Sequence, residues 1–224
     1  MARRAWLWIG GGLFCVALAW CAWWYLFAAG RTGRPGGAPA LAIDAALFSV
    51  FALHHSLFAR EFAKRWLAGL DAQLIRSVYV YAASALLIGV CVLWRPIGGE
   101  LYRATGALAI TLGAVQVVGV AVIARSAARI DPLELAGIHE TRTGDPLVTS
   151  GPYTWVRHPL YFGWVLAVFA TPHMTGDRLA FAALSTAYLA AAVPFEERSL
   201  VRAFGDDYVR YQRAVRWRIV PFIY

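Results

Sequence analysis

Long apolar blocks, each bounded by charged or turn-forming residues, restrict the fold of this 224-residue chain more than any other feature. They comprise residues 6–29, 41–58, 78–94, 104–124, 159–171 and 179–195. At 1.5 Å per residue, most of them are long enough to cross a hydrocarbon core of about 30 Å as single helices. The block at 159–171 reaches only about 18–20 Å, so with the next block it predicts a tight helical hairpin. The pattern predicts an all-α, polytopic integral membrane protein with about six hydrophobic helices.

Composition supports this class. The chain is 60% hydrophobic and 15% charged, whereas a soluble domain has nearer a quarter charged residues. The net charge of +8 could indicate nucleic acid binding. In a membrane protein it indicates basic loops beside anionic lipid instead, so we expect membrane lipid as a partner and no nucleic acid.

The segment LVTSGPYTWVRHPLYFGW, residues 147–164, places turn-forming residues, an arginine and a histidine directly before an apolar helix. Pro159 suits the first turn of a helix and pushes His158 into an extended conformation, so a helix is expected to begin at Pro159. The helix N-terminus, together with Arg157, suits an anionic ligand group. The alternative is a membrane-interface turn with Arg157 at the level of the lipid headgroups.

A second polar segment follows the last apolar block. Glu196 and Glu197 stand where burial of a carboxylate is costly, which calls for a cationic or hydrogen-bonding partner. One amphipathic helix is predicted from Glu196 onward, because residues on one face recur at spacings of three and four. This face comprises Glu196, Leu200, Phe204, Tyr208, Tyr211 and Val215. The helix then anchors the chain at the interface, closes over a site with Glu196 pointing inward, or does both.

RHPLYFGW at residues 157–164 and EERSL at residues 196–200, followed by FGDDYVRY at residues 204–211, together resemble membrane methyltransferases. The similarity is to the superfamily of isoprenylcysteine carboxyl methyltransferases and phospholipid methyltransferases. FATPHMTGDRLAFAALSTAYL at residues 169–189, with His55 and Ser56, is similar to the bacterial branch of methanethiol S-methyltransferases and NnrU-like proteins. The resemblance implies methyl transfer from S-adenosylmethionine to a small or lipophilic acceptor (a thiol, a carboxylate or a lipid amine).

The resemblance also implies the residues that contact the cofactor. Its LVTSG-x-Y turn, HP-x-Y tetrad and first glutamate fall on Leu147, Val148, Tyr153, His158, Pro159, Leu160, Tyr161 and Glu196. Glu197 matches the second acidic residue of the phospholipid methyltransferases, and we add Arg157 as a partner for the cofactor carboxylate. His139 and Asp145 are weaker candidates. Methyl transfer depends on positioning and desolvation and needs no metal, so no catalytic residue or metal ligand is assigned.

His54 and His55 are predicted to line the substrate pocket. Adjacent helical residues point about 100° apart, so the two rings are not expected to face one site, and a metal site is not predicted. Hydrogen bonding between helices is the alternative role.

Residues 1–224 are interpreted as a single membrane domain. Residues 1–125 contribute four spanning helices, and residues 126–224 contribute a polar loop, the hairpin and the C-terminal helix that form the cofactor site.

Two alternatives to a methyltransferase remain open on the sequence. NADPH-dependent sterol-type membrane reductases share a similar arginine–histidine turn and an acidic–FG–x–x–Y pattern near the C-terminus. A non-enzymatic membrane accessory protein of the NnrU kind is the other alternative.

The distribution of basic residues predicts the orientation. Most of the 21 lysines and arginines fall in the segments that share a side with the N-terminus, and basic loops face the cytoplasm. We therefore expect both termini and the loop of residues 125–157 to be cytoplasmic, in a bacterial inner membrane.

A reporter that works only in the cytoplasm should be active when it is fused after Tyr224. Activity of a reporter that works only outside the cytoplasm would contradict this orientation.

Overall fold

The computed structural model describes residues 2–29, 35–58, 71–130, 133, 136, 138 and 146–224. Its α-helices are α1 (Ala2–Trp23), α2 (Gly37–Phe58), α3 (Ala72–Leu93), α4 (Gly106–Ala127), α5 (Pro159–Phe169), α6 (Gly176–Phe204) and α7 (Asp206–Ala214). A π-helical turn, Trp24–Ala28, follows α1, and a 3-10 turn, Gly151–Thr154, precedes α5. Strands β1 (Glu100–Arg103) and β2 (His173–Thr175) pair in a two-stranded sheet. The weaker candidates His139 and Asp145 lie outside the described residues.

The predicted all-α membrane architecture is confirmed. Helical segments that are apolar and long enough to cross a membrane are Arg3–Ala28, Gly37–Ser56, Leu74–Leu93, Gly106–Ala127 and Gly176–Phe204. Helix α5 is apolar but has only 11 residues, or about 16 Å. With α5 included, the described residues contain the six hydrophobic helices expected from the sequence.

Two compact units share the chain. The first comprises Met1–Leu101, Asp131–Thr141 and Thr175–Ala180, and the second comprises Tyr102–Ile130, Arg142–Met174 and Phe181–Tyr224. In the first unit, α1 and α2 both pack against α3, and in the second unit α4 packs against α5. The division at residue 125 stays a prediction.

Two buried carboxylates of the first unit fix the path of the chain beyond α3. Asp177 accepts hydrogen bonds from the Trp94 indole N–H at 2.9 Å and from the backbone N–H of Ile97 at 3.0 Å. Asp44 accepts the backbone N–H of Arg95 at 2.9 Å. Backbone N–H groups that leave a helix end need such partners when they are buried.

Helices α4 and α5 of the second unit approach each other at paired glycines. A Cβ added at Gly119 would lie 2.7 Å from the carbonyl oxygen of Gly163, and one added at Gly163 would lie 2.6 Å from that of Gly119. Gln116, the strongly polar residue of the α4 apolar block, donates its side-chain N–H to the Ala167 carbonyl at 2.7 Å. Small residues allow this backbone approach, and the amide adds a hydrogen bond between the helices.

Helix α6 differs from the sequence prediction. It continues beyond residue 195 to Phe204, through Pro194, because the following glutamates, arginines and leucine are good helix formers. Gly205 then adopts a positive φ of 56°, a conformation that favours glycine and ends a helix. The single C-terminal amphipathic helix predicted from Glu196 onward is therefore wrong in its continuity. The last turns of α6 and the separate helix α7 provide its face.

The glycine contact predicts that the same substitution, glycine to alanine, has different effects on the free energy of unfolding at two positions. Gly119→Ala should lower the free energy of unfolding by about 1–3 kcal/mol, because the methyl group overpacks the α4–α5 contact. Gly89→Ala in α3 is the matched control, since a Cβ there meets no described atom within 4 Å. It should be neutral or stabilise by about 0.5–1 kcal/mol through helix propensity. Thermal unfolding in detergent measures both variants, and equal stability of the two would contradict the close contact.

Candidate functional site

The site begins at the turn that enters α5. Gly151 has φ 67°, Pro152 occupies the first turn of the 3-10 helix, and the Tyr153 side chain is buried beneath it. His158 has φ −122° and ψ 67°, which is neither helical nor the extended conformation expected from the sequence, and α5 begins at Pro159. Both the turn and the helix start are as predicted from the sequence.

Glu197, on α6, is the buried centre of a polar network. Its Oε1 accepts a hydrogen bond from Arg157 Nε at 2.6 Å and lies 3.4 Å from His158 Nε2. Its Oε2 accepts the Gln212 side-chain amide at 3.2 Å and lies 3.4 Å from Arg218 Nε. The Glu197 side chain is only 6% exposed, and a buried carboxylate is tolerated when its oxygens are paired in this way. The partner expected from the sequence is present.

Arg157 joins this network to the C-terminal segment. Its Nη1 donates to the carbonyls of Val215 at 2.8 Å and Arg216 at 2.9 Å, and its backbone N–H donates to the Trp217 carbonyl at 2.9 Å. The side chain is buried. Nε and Nη1 contact protein groups, and among the described residues Nη2 has no side-chain or carbonyl partner. The cofactor contact of Arg157 stays a prediction, and the observed contacts favour a role in positioning the turn.

Glu196 lies on a more exposed face of α6. Tyr161 donates its hydroxyl to Glu196 Oε2 at 2.8 Å, and His158 Nδ1 lies 3.5 Å from the same oxygen. The His158 and Tyr161 rings stack, with centroids 5.4 Å apart and planes 9° apart. Both contacts are made through Oε2, so Oε1 remains able to accept a hydrogen bond from a ligand.

The two glutamates differ in burial. The Glu196 side chain is 43% exposed, whereas Glu197 is buried. Glu196 contacts Tyr161 and His158, and its orientation toward a cofactor stays a prediction. Consecutive helical side chains diverge by about 100°, and only one of the pair can face buried Arg157. Long-range pairing with Arg157 decides which one does.

An aromatic cluster made by Tyr153, Tyr208 and Tyr211 supports the turn. The Tyr211 hydroxyl donates to the Tyr153 carbonyl at 2.7 Å. Partly buried side chains that pack against the cluster are Ile130, Leu147, Val148, Leu200, Val201, Phe204 and Val215. The apolar members of the predicted C-terminal face all belong to the cluster or pack against it, which confirms that face.

The phenols of this cluster remain protonated at neutral pH. Burial, and then the charge of Glu196, raise the pKa of Tyr153 to about 12, and burial also raises the pKa values of Tyr208 and Tyr211. The hydroxyls of Tyr153 and Tyr208 are buried and have no hydrogen-bond partner among the described residues. Buried hydroxyls without partners are costly, so both can serve a polar ligand.

His54 and His55 belong to the first unit, where both rings contact Tyr79. The Tyr79 hydroxyl lies 2.6 Å from His55 Nδ1, and the His54 ring stacks on Tyr79 with centroids 5.6 Å apart. The two rings therefore share Tyr79 as a neighbour, and whether they face one site is not decided by this contact. Their substrate contact stays a prediction.

Metal ligation has no candidate cluster in the part of the chain that the structure describes. No group of three or more His, Cys, Asp or Glu residues is placed there to hold an ion. The expectation that the chain has no metal site stays a prediction.

The sequence did not indicate Gln212 and Arg218, which contact Glu197, or the Tyr208 hydroxyl, which has no partner within the described ranges. Tyr208 was detectable, since it belongs to the predicted C-terminal face. Gln212 lies in α7 but off that face, and Arg218 lies beyond α7. No periodic pattern in the sequence indicates a partner for either residue.

Comparisons with known proteins agree with these motifs. The model of the isoprenylcysteine carboxyl methyltransferase family matches residues 136–202. Methanethiol S-methyltransferase 2 of Bradyrhizobium diazoefficiens is 37% identical over 185 residues, which cover 79% of this chain and 71% of that protein. Methanethiol S-methyltransferase of Mycobacterium tuberculosis is 36% identical over 186 residues, covering 79% of this chain and 76% of that protein. Protein-S-isoprenylcysteine O-methyltransferase of Xenopus laevis is 33% identical over 88 residues, covering 38% of this chain and 30% of that protein. No solved structure matches.

These relatives do not favour the reductase or the accessory protein. They are named as methyltransferases, and the relative from Bradyrhizobium is matched over more than two thirds of its length. The chain belongs to the isoprenylcysteine carboxyl methyltransferase family and is a membrane methyltransferase.

Proposed function

We propose that the chain transfers a methyl group from S-adenosylmethionine to the sulfur of a small thiol. The similarity to methanethiol S-methyltransferases carries the choice of acceptor. The segment matched by the family model contains Tyr153, His158, Tyr161 and both glutamates. These residues meet in one unit, which supports a single cofactor site.

The residues present suit this cofactor. Glu196 keeps one carboxylate oxygen for an ammonium group or ribose hydroxyls, and its negative charge favours a cation nearby. The stacked rings of His158 and Tyr161 offer aromatic surface to a sulfonium or an adenine. The hydroxyls of Tyr153 and Tyr208 are donors without protein acceptors among the described residues.

The proposed cofactor residues divide into two roles. Direct contacts are proposed for Leu147, Val148, Tyr153, His158, Pro159, Leu160, Tyr161 and Glu196. Arg157 and Glu197 are proposed to act as positioning residues, since their observed contacts are to the turn and the C-terminal segment. When bound, S-adenosylmethionine supplies an electrophilic methyl group on its sulfonium. The protein then contributes orientation and exclusion of water, which are sufficient for a displacement of this kind.

The proposed location is the bacterial inner membrane, with the cofactor site open to the cytoplasm. The basic-residue distribution supports this orientation. A small thiol partitions readily into an apolar protein, so an acceptor of this kind suits a site formed by membrane helices.

The acceptor can be tested directly with detergent-purified protein and methyl-labelled S-adenosylmethionine. Methanethiol should give labelled dimethyl sulfide, which headspace gas chromatography detects. A farnesylated N-acetylcysteine and phosphatidylethanolamine, tested in parallel, should stay unlabelled or react at least tenfold more slowly. Labelling of the carboxylate or the lipid amine, without labelled sulfide, would contradict a thiol acceptor.

The two glutamates provide a matched pair of variants. Glu196→Gln should weaken S-adenosylmethionine binding by roughly ten- to a hundred-fold, the equivalent of one charged hydrogen bond, with little change in thermal stability. Glu197→Gln should lower the free energy of unfolding by about 3–5 kcal/mol, because buried Arg157 loses its counter-charge. Calorimetric titration and thermal unfolding separate the two effects. Unchanged cofactor affinity of Glu196→Gln would remove Glu196 from the cofactor site.

A further inference from the structure

A cavity lies between α6 and the C-terminal segment. Its volume is about 400 Å³, and it lies entirely within the second unit. Arg198, Arg202, Arg218 and Gln212 line it, and Pro194 and Val201 contribute apolar surface. Glu197 contributes to its lining, whereas Glu196 does not. The cavity is therefore separate from the proposed cofactor contacts of Glu196.

The charges around this cavity are unbalanced. Glu197 is the acidic residue of its lining, and Arg157 already pairs with it at 2.6 Å. Arg202 donates to the Ser199 hydroxyl at 2.9 Å, and Arg198 lies over the Phe195 ring at 5.5 Å. Neither arginine contacts a carboxylate among the described residues. An open cavity lined by three guanidinium groups and one neutralised carboxylate favours an anion, and guanidinium groups bind phosphate well.

The position of the cavity favours a lipid over a free ion. Arg198 and Arg202 lie one helical turn apart, directly after the apolar part of a helix that qualifies as a membrane span. Basic residues at the end of an apolar span lie at the level of the lipid headgroups. Phe195 is 46% exposed beside them, and Pro194 and Val201 offer apolar surface inside the cavity. A phosphate attached to a glycerol and acyl chains fits this combination better than inorganic phosphate does.

We infer that this cavity binds the headgroup phosphate of an anionic phospholipid. Arg218, on the C-terminal segment, faces the same cavity as Arg198 and Arg202 on α6. A bound phosphate therefore reduces the repulsion between these cations and holds the C-terminal segment against α6. Because Gln212 and Arg218 also contact Glu197, the lipid stabilises the network that positions the turn before α5.

The test uses the full chain in a neutral detergent with short-chain phosphatidylglycerol, phosphatidylcholine and inorganic phosphate as separate probes. Affinity and the shift in thermal unfolding temperature are measured for each probe. Phosphatidylglycerol should bind at least tenfold more tightly than phosphatidylcholine and should raise the unfolding temperature. Equal binding of the two lipids would overturn the proposal. So would inorganic phosphate that matches the phosphatidylglycerol effect at the same concentration, since the site would then take a free ion.

The variants localise the effect to the cavity. The double variant Arg198→Gln/Arg202→Gln should weaken phosphatidylglycerol binding tenfold or more. The double variant Arg210→Gln/Arg213→Gln removes the same charge from exposed positions on α7, outside the cavity, and should bind within threefold of the parent. All four arginines are exposed, so neither variant should unfold the protein. Equal losses in the two double variants would show diffuse charge attraction and would contradict a built site.

Discussion

The ion pair between Glu197 and Arg157 is the contact on which the second unit depends. A carboxylate just beyond the apolar part of α6 and a guanidinium at the entry of α5 are both buried, and neither is stable there alone. Their pairing connects α6 to the turn before α5, and the remaining Arg157 donors bind the C-terminal segment. Three segments that are distant in sequence meet at this one ion pair.

The two neighbouring glutamates near this ion pair have different roles: Glu197 is structural, and Glu196 is proposed to bind the ligand. Glu197 has its oxygens occupied by protein partners, whereas Glu196 keeps an oxygen that a ligand can use. His158 contacts both carboxylates, so the orientation of its ring depends on the structural glutamate as well as on the proposed ligand-binding one. A reaction that depends on alignment more than on acid–base chemistry benefits from such fixed side chains.

The short helix α5 also depends on its neighbours. At about 16 Å it cannot cross a bilayer alone, but its glycine contact with α4 and the amide of Gln116 hold it close to a full-length helix. The start of α5 carries His158 and Tyr161, so this packing positions two of the proposed cofactor contacts. The packing of α4 against α5 and the buried Arg157–Glu197 ion pair therefore both hold the turn before α5 in place.

The sequence alone determined the features that depend on local pattern. Apolar blocks predicted the membrane helices, Pro159 predicted the start of α5, and the spacing of Leu200, Phe204 and Tyr208 predicted the C-terminal face. Each follows from backbone geometry or from hydrophobic periodicity, which a short stretch of residues already contains.

Only the tertiary structure decided which charged groups pair. The sequence offered Arg157 to the cofactor, but the fold buries Glu197 against Arg157 and leaves Glu196 partly exposed. The contacts of Gln212 and Arg218 could not be predicted either, because they come from segments without a periodic pattern. A buried charge selects its partner by distance and desolvation after the helices have packed, and that selection leaves no mark on local sequence.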